Sequence, residues 1–306
     1  MQQTKLIADG LLFPEGPIAM RDGSVLLVEI AGRTLTRIGR DGRRSVVAQL
    51  EGGPNGAALG PDGKVYVCNN GGFAWTKDEL GLRPHGAPDG DPTGWIERVD
   101  LDTGAVECLY HGDGAIKFRG PNDIVFDKHG GFWFTDAGKV NTRMVHRGGV
   151  YYGKCDGSGI VEVVYPMWQA NGIGLSPDES RLYVAETVSG RLWEFEIVGP
   201  GKVRKESFPS PHGGKLLAGL SGYRLLDSLA VDSAGNVCVA TLMTGGITVV
   251  SPDGGGSDHI PLPDHYVTNI CFGGPELNTA YVTLSQQGAL VSFGWPRPGL
   301  QLNFAR

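Results

Sequence analysis

One pattern of hydrophobic and polar residues recurs six times along the chain. Each copy has a polar residue, a short apolar run, a turn such as Pro-Asp-Gly, and a second apolar run rich in Val, Tyr, Phe or Trp. Both runs have the composition of β-strands, and Asp-Gly turns suit the positive φ angles of tight hairpins. Each copy is therefore predicted to form a β-hairpin. The copies begin at Glu15, Asn55, Asn122, Asn171, Asp227 and Asn269.

The spacing of the copies predicts a β-propeller. Their starts lie 40, 67, 49, 56 and 42 residues apart, and two further strand-like runs follow in several copies. Four strands in roughly 40 to 50 residues form one propeller blade, once loop insertions are allowed. We therefore expect an all-β fold, a six-bladed β-propeller that spans residues 1–306 as a single domain. A large β-sandwich is the alternative, but it does not explain six repeats that each begin with a polar residue.

The two ends of the chain are expected to meet in the last blade. The residues before Phe13 are too few to form a blade of their own. We predict that they supply its outermost strand, beside the run at 288–295. Such closure protects strand edges that would otherwise be open to pairing with other chains.

Composition and charge narrow the class of protein. The 306 residues include 49 Gly and 19 Pro, which suits short strands and tight turns rather than helices. The net charge is −6 and no basic run occurs, so no nucleic-acid partner is expected. The N-terminus does not resemble a signal peptide, and no apolar stretch is long enough to span a membrane. We therefore expect a cytoplasmic protein with no membrane partner.

The first residue of each copy is a candidate for metal binding. The first strand of every propeller blade lines the central channel, so equivalent residues converge on the axis at one face. Two carboxylates and several amide oxygens, without His or Cys, are the ligands that a hard cation prefers. Asn and Asp also cap backbone groups at strand starts, but this does not account for Glu15. Ca²⁺ is the preferred metal, although Mn²⁺, Mg²⁺, Zn²⁺ or Fe²⁺ would also accept such a site.

Four of the copies carry motifs that resemble those of a known family. The motifs are Phe13-Pro-Glu-Gly-Pro, Gly120-Pro-Asn-Asp, Ala170-Asn-Gly-Ile-Gly-Leu-Ser-Pro-Asp and Leu226-Asp-Ser-Leu-Ala-Val-Asp. Their order and sequence are similar to the regucalcin (senescence marker protein) and gluconolactonase family, which includes drug-responsive lactonases and luciferin-regenerating proteins. The resemblance implies a divalent metal on the axis, held by Glu15, Asn122, Asn171 and Asp227.

The resemblance also implies hydrolysis of a small-molecule lactone. A bound cation polarises the lactone carbonyl, and Asp227 is the candidate catalytic residue, either as the base that activates water or as a nucleophile. Asp123 is a competing base. Two alternatives remain open: a phosphotriesterase-like esterase, and a non-catalytic calcium-binding propeller that serves as a scaffold.

Substrate contacts are expected from the loops around the metal. The long connection at 69–94 is either a lid or an inert insertion. Sugar-lactonase members of the family often carry an Arg two residues before the third-blade Asn, whereas this chain has Gly120 there and an arginine one place earlier. This departure leaves the preference for a sugar open. The candidate substrate-binding residues are Asn55, Asn70, Trp75, Arg119 and Trp168.

Overall fold

The computed structural model describes residues 2–90, 92–112 and 118–305. These residues form no helix, and so none that could cross a membrane. Within them, the strands in chain order are β1 (Lys5–Ala8), β2 (Pro14–Ala19), β3 (Val25–Glu29), β4 (Thr34–Ile38), β5 (Arg44–Gln49), β6 (Pro54–Leu59), β7 (Val65–Asn69), β8 (Trp75–Asp78), β9 (Gly81–Pro84), β10 (Trp95–Val99), β11 (Val106–His111), β12 (Pro121–Phe126), β13 (Gly131–Asp136), β14 (Gly148–Lys154), β15 (Ile160–Met167), β16 (Ala170–Leu175), β17 (Arg181–Glu186), β18 (Arg191–Gly199), β19 (Lys202–Arg204), β20 (Lys215–Gly219), β21 (Leu225–Val231), β22 (Val237–Leu242), β23 (Gly246–Val250), β24 (Ser257–Pro261), β25 (Val267–Gly273), β26 (Thr279–Leu284) and β27 (Ala289–Gly294).

Six antiparallel sheets form the blades, which confirms the prediction of an all-β, six-bladed propeller. Blade 1 is β2-β3-β4-β5, blade 2 is β6-β7-β10-β11 and blade 3 is β12-β13-β14-β15. Blade 4 is β16-β17-β18-β19, and β20 also pairs with β18. Blade 5 is β21-β22-β23-β24, and blade 6 is β25-β26-β27-β1. The seventh sheet, β8-β9, is a hairpin inserted between the second and third strands of blade 2.

The ring is closed by strands from both ends of the chain. β1 pairs with β27, with Lys5 opposite Ser292 and Ala8 opposite Leu290. The first strand of every blade contacts the first strands of its two neighbours, including β2 against β25. Six channel-lining strands therefore surround one axis and bring their N-terminal residues to one face.

A β-bulge interrupts the first strand of every blade at the same place. In blade 4, Ala170 pairs with Glu186 and Ile173 pairs with Val184. The chain therefore advances three residues along β16 but only two along β17. The other five blades show the same shift. Because a bulge breaks the alternation of side chains along a strand, two successive residues can reach the axis instead of one.

The register of blade 6 corrects the predicted start of the sixth copy of the repeat. Ile270 pairs with Val282 in the way that Ile173 pairs with Val184. Thr268 therefore occupies the position of Asn171, and Asn269, predicted to begin the sixth copy, lies one residue further along. The repeat pattern alone could not reveal this, because Thr and Asn are both polar and adjacent in the chain.

The C-terminal segment crosses the opposite face of the propeller. Leu300 N donates to Val231 O at 2.9 Å in blade 5, and the Asn303 side chain donates to Phe126 O at 3.0 Å in blade 3. Beneath this segment lies a cavity of about 860 Å³ that follows the channel strands and reaches Gly16, Asp123 and Asn269 near their starts. The C-terminal segment therefore covers the end of the channel away from the strand starts.

Candidate functional site

Three buried carboxyl groups meet where the channel strands begin. Glu15, Asp123 and Asp227 come from blades 1, 3 and 5 and are each less than a tenth exposed. Burial and the charge of Glu15 raise the pKa of Asp123 to about 7, and the same two causes raise the pKa of Asp227 well above its usual value. Burial also raises the pKa of Glu15. Each charge disfavours ionisation of its neighbours, and a nearby cation would favour the ionised forms of all three.

Two hydrogen bonds orient Glu15 within the cluster. Its Oε2 atom accepts from the backbone N of Gly16 and from Nδ2 of Asn269, each at 2.7 Å. The one-residue shift of Asn269 therefore places its amide beside Glu15. Asn269 Oδ1 in turn accepts from the backbone N of Ile270 at 2.8 Å, which fixes the amide.

Amide oxygens complete the set of donors that could hold a metal. Oδ1 of Asn122 and Oδ1 of Asn171 are both buried and have no hydrogen-bond partner in the described part of the chain. The Asn171 side chain hydrogen-bonds Asp227, which partly offsets the upward pKa shift of that carboxyl. Across residues 2–90, 92–112 and 118–305, no group of three or more His, Cys, Asp or Glu side chains is arranged to hold a metal ion. The donors present are nevertheless oxygens, the type that fits a hard divalent cation.

A second row of polar residues, missed in the sequence, holds the loops that lead into the channel strands. It lies at the end of the second strand in blades 1 to 4. Asp136 accepts from the backbone N atoms of Arg119, Gly120 and Gly138 at 2.7–2.9 Å. Glu186 accepts from Trp168 N at 2.7 Å, Glu29 from Leu12 N at 2.8 Å, and Asn69 from Gly53 N at 2.8 Å. The signal was present in the repeat, since these second runs end in Glu, Asn or Asp.

The inserted hairpin of blade 2 extends across the face that carries the carboxyl cluster. Leu82 N donates to Gln286 O of blade 6 at 3.0 Å, and Ala87 N donates to Val140 O of blade 3 at 3.1 Å. The Trp75 ring lies 5.1 Å from the ring of Phe13, between centroids. Asp91 of this connection lies outside the described residues. The 69–94 connection is therefore attached to three other blades rather than projecting into solvent.

A cavity of about 220 Å³ lies between this hairpin and the starts of blades 3 and 4. Asn122 and Asn171 line it from the channel side, Asn70 and Phe73 from the blade 2 connection, and Lys139 from the loop after β13. Lys139 Nζ donates to Gly72 O at 2.9 Å and lies 5.7 Å from the centre of the Phe73 ring. A small molecule in this cavity would lie beside Asn122 and Asn171.

Of the candidate substrate-binding residues, Asn70 lines this cavity, whereas Asn55, Trp75, Arg119 and Trp168 do not. Trp75 packs against Phe13 and Phe73. Trp168 is half-exposed and stacks under the Arg147 guanidinium at 3.6 Å. The backbone N of Arg119 donates a hydrogen bond to Asp136, and the neighbouring Gly120 lines the cavity. Asn55 is buried at the start of β6.

Comparisons with known proteins show the family to which the chain belongs. Residues 13–286 match the family described as SMP-30/Gluconolactonase/LRE-like region. The chain is 28% identical to a protein named lactonase drp35 from Staphylococcus saprophyticus, over 81% of this chain and 69% of the relative. It is 26% identical to a gluconolactonase from Zymomonas mobilis, over 88% of this chain and 75% of the relative.

A solved structure shows the same fold. The crystal structure of a calcium-binding protein, regucalcin, from Agrobacterium tumefaciens superposes with a TM-score of 0.74 at 18% identity and covers 98% of each chain. The six blades, the motifs at their starts and the match over residues 13–286 lead to one conclusion. The chain belongs to the SMP-30/gluconolactonase/LRE-like family.

Proposed function

We propose that this protein is a metal-dependent hydrolase that opens the ring of a small lactone. The observation that carries the proposal is the buried cluster of Glu15, Asp123 and Asp227, together with the unpartnered amide oxygens of Asn122 and Asn171, two residues that line a cavity of about 220 Å³. Family membership and relatives named lactonase and gluconolactonase support the same activity.

Four residues would hold the metal: Glu15, Asn122, Asn171 and Asp227. Their carboxylate and amide oxygens favour Ca²⁺ over softer metals, and the Agrobacterium neighbour is described as a calcium-binding protein. When bound, the cation supplies polarisation of the lactone carbonyl and stabilises the negative charge that develops on its oxygen.

Asp227 moves the proton in the proposed reaction. One carboxylate oxygen takes a proton from water as the water oxygen bonds to the carbonyl carbon, and the proton then passes to the ring oxygen as the C–O bond breaks. The product is one hydroxy acid. Asn171 holds Asp227 in place through its side-chain hydrogen bond, and Asn269 holds Glu15. In the alternative role Asp227 attacks the carbonyl carbon directly, the ring C–O bond breaks and the freed oxygen takes a proton from water, and hydrolysis of the resulting mixed anhydride regenerates Asp227 and releases the hydroxy acid.

The roles of two carboxylates can be separated by substitution. Asp227→Asn keeps an oxygen donor but removes the base, so kcat on a lactone should fall about 100-fold or more. Its calcium affinity, measured by calorimetry, should change far less. Glu15→Gln should mainly weaken calcium binding and recover turnover at saturating metal. An Asp227→Asn protein that retains near-normal kcat at saturating calcium would show that another group, such as Asp123, is the base.

A further inference from the structure

Two residues of the cavity wall each carry a buried polar atom that the described part of the fold leaves without a partner. Nδ2 of Asn70 and Oγ1 of Thr187 are both buried, and within the described residues neither has a hydrogen-bond partner. Both residues line the cavity beside Asn122 and Asn171. Asn70 comes from blade 2 and Thr187 from blade 4, so they approach the cavity from blades on either side of blade 3.

Backbone contacts fix the position of each residue. Asn70 Oδ1 accepts from Gly72 N at 2.7 Å, so the amide is held and its nitrogen is the atom left to donate. Thr187 directly follows β17, and its backbone N donates to Gln169 O at 3.1 Å while its carbonyl accepts from Gly190 N at 3.2 Å. Hydrogen bonds within the fold therefore hold the Asn70 amide and the Thr187 backbone in place.

Leaving such atoms unpaired is unfavourable, which points to a ligand. A buried donor or acceptor without a partner costs about 1–3 kcal/mol. The Asn70 amide nitrogen can only donate, whereas the Thr187 hydroxyl both donates and accepts. A hydroxyl group on a ligand also does both, and can therefore pair with either residue.

We propose that Thr187, together with Asn70, is a specificity-determining residue that binds a hydroxyl substituent on the substrate ring. The proposal rests on the proposed function, because it assumes that the reacting carbonyl lies beside Asn122 and Asn171. A site built to bind a hydroxyl rejects the analogue that lacks it, since its own buried groups then remain unpaired. The sequence did not single out Thr187, which follows the repeated strand rather than beginning a copy.

The kinetic test compares two lactones that differ by one hydroxyl, α-hydroxy-γ-butyrolactone and γ-butyrolactone. The calcium-loaded wild type should prefer the hydroxylated lactone in kcat/KM. Thr187→Val, which keeps the shape but removes the hydroxyl, should lower that preference about tenfold. The kcat/KM for the hydroxylated lactone should fall, while the kcat/KM for γ-butyrolactone should stay the same. Thr187→Ser should retain the preference. Equal preferences in the wild type and Thr187→Val would overturn the proposal.

A binding test distinguishes failure of this proposal from failure of the proposed function. The probes are 3-hydroxytetrahydrofuran and tetrahydrofuran, which carry no lactone carbonyl and need no turnover. In a protein-observed NMR titration, the hydroxylated ether should bind more tightly to the wild type and to Thr187→Ser than to Thr187→Val. That result supports the proposal even where no lactone is hydrolysed. Equal binding of both ethers, or of the hydroxylated ether to Thr187→Val and the wild type, contradicts it.

Discussion

The carboxyl group of Asp136 shows how one side chain outside the carboxyl cluster organises the loop before β12. It is fully buried and accepts three backbone hydrogen bonds, two of them from Arg119 and Gly120, immediately before β12. Those residues lead directly to Asn122. Asp136 therefore sets the path of the chain into the channel without lining the cavity of about 220 Å³ itself.

Asp136→Ala should lower the free energy of unfolding by about 3 kcal/mol, because buried backbone N–H groups lose a charged acceptor. Calcium affinity should fall as well, since the loop that positions Asn122 loses its hydrogen bonds to Asp136. Denaturant unfolding and calorimetry measure the two effects. Asp156→Ala, in an exposed turn, is the control and should change neither. An Asp136→Ala protein as stable as the wild type would show that the loop is held by other contacts.

At the scale of elements, the hairpin β8-β9 controls how the cavity is covered. Its attachments to blades 3 and 6 are backbone hydrogen bonds, whereas its contact with blade 1 is the packing of Trp75 on Phe13. Tip residues such as Leu80 are exposed. The aromatic contact is therefore the attachment that a single substitution can remove.

Trp75→Ala should loosen the hairpin without unfolding the propeller. Trypsin should then cut faster after Lys77 within it, while the Tm changes by only a few degrees. Mass spectrometry of timed digests identifies the sites. Trp168→Ala, which removes another tryptophan outside the hairpin, should leave cleavage there at the wild-type rate. Unchanged cleavage in Trp75→Ala would mean that the backbone hydrogen bonds suffice to hold the hairpin closed.

The elements also show how far the sequence was informative. The six hairpins and the strand that closes the ring follow from local patterns of apolar residues and turns, so they could be predicted. The bulges, the register of Thr268 and the pairing of β20 with β18 depend on hydrogen bonds between strands. No local pattern encodes them, and the caps formed by residues such as Asp136 become recognisable only when the loop they bind is known.

For the whole molecule, closure of the ring depends on four residues at the start of the chain. β1 is half-exposed or exposed along its length, so it contributes backbone pairing with β27 more than apolar burial. Without it, the edge of β27 would be open to pairing with another molecule.

Deletion of residues 1–9 should lower the Tm by roughly 5 °C, since about three hydrogen bonds of about 1 kcal/mol each are lost. It should also increase self-association, which light scattering detects. A shorter deletion that ends at Gln3 leaves β1 intact and should affect neither property. An unchanged Tm in the longer deletion would show that blade 6 is stable with three strands.

The central claim is that this propeller hydrolyses lactones with the help of a divalent metal. The most direct measurement is acid release from a panel of γ- and δ-lactones by the purified wild-type protein, first loaded with calcium, then treated with EDTA, then resupplied with metal. We predict acid release that EDTA abolishes and that calcium or another divalent ion restores. Release that is insensitive to EDTA would contradict the metal dependence, and the absence of release across the panel would favour a calcium-binding scaffold.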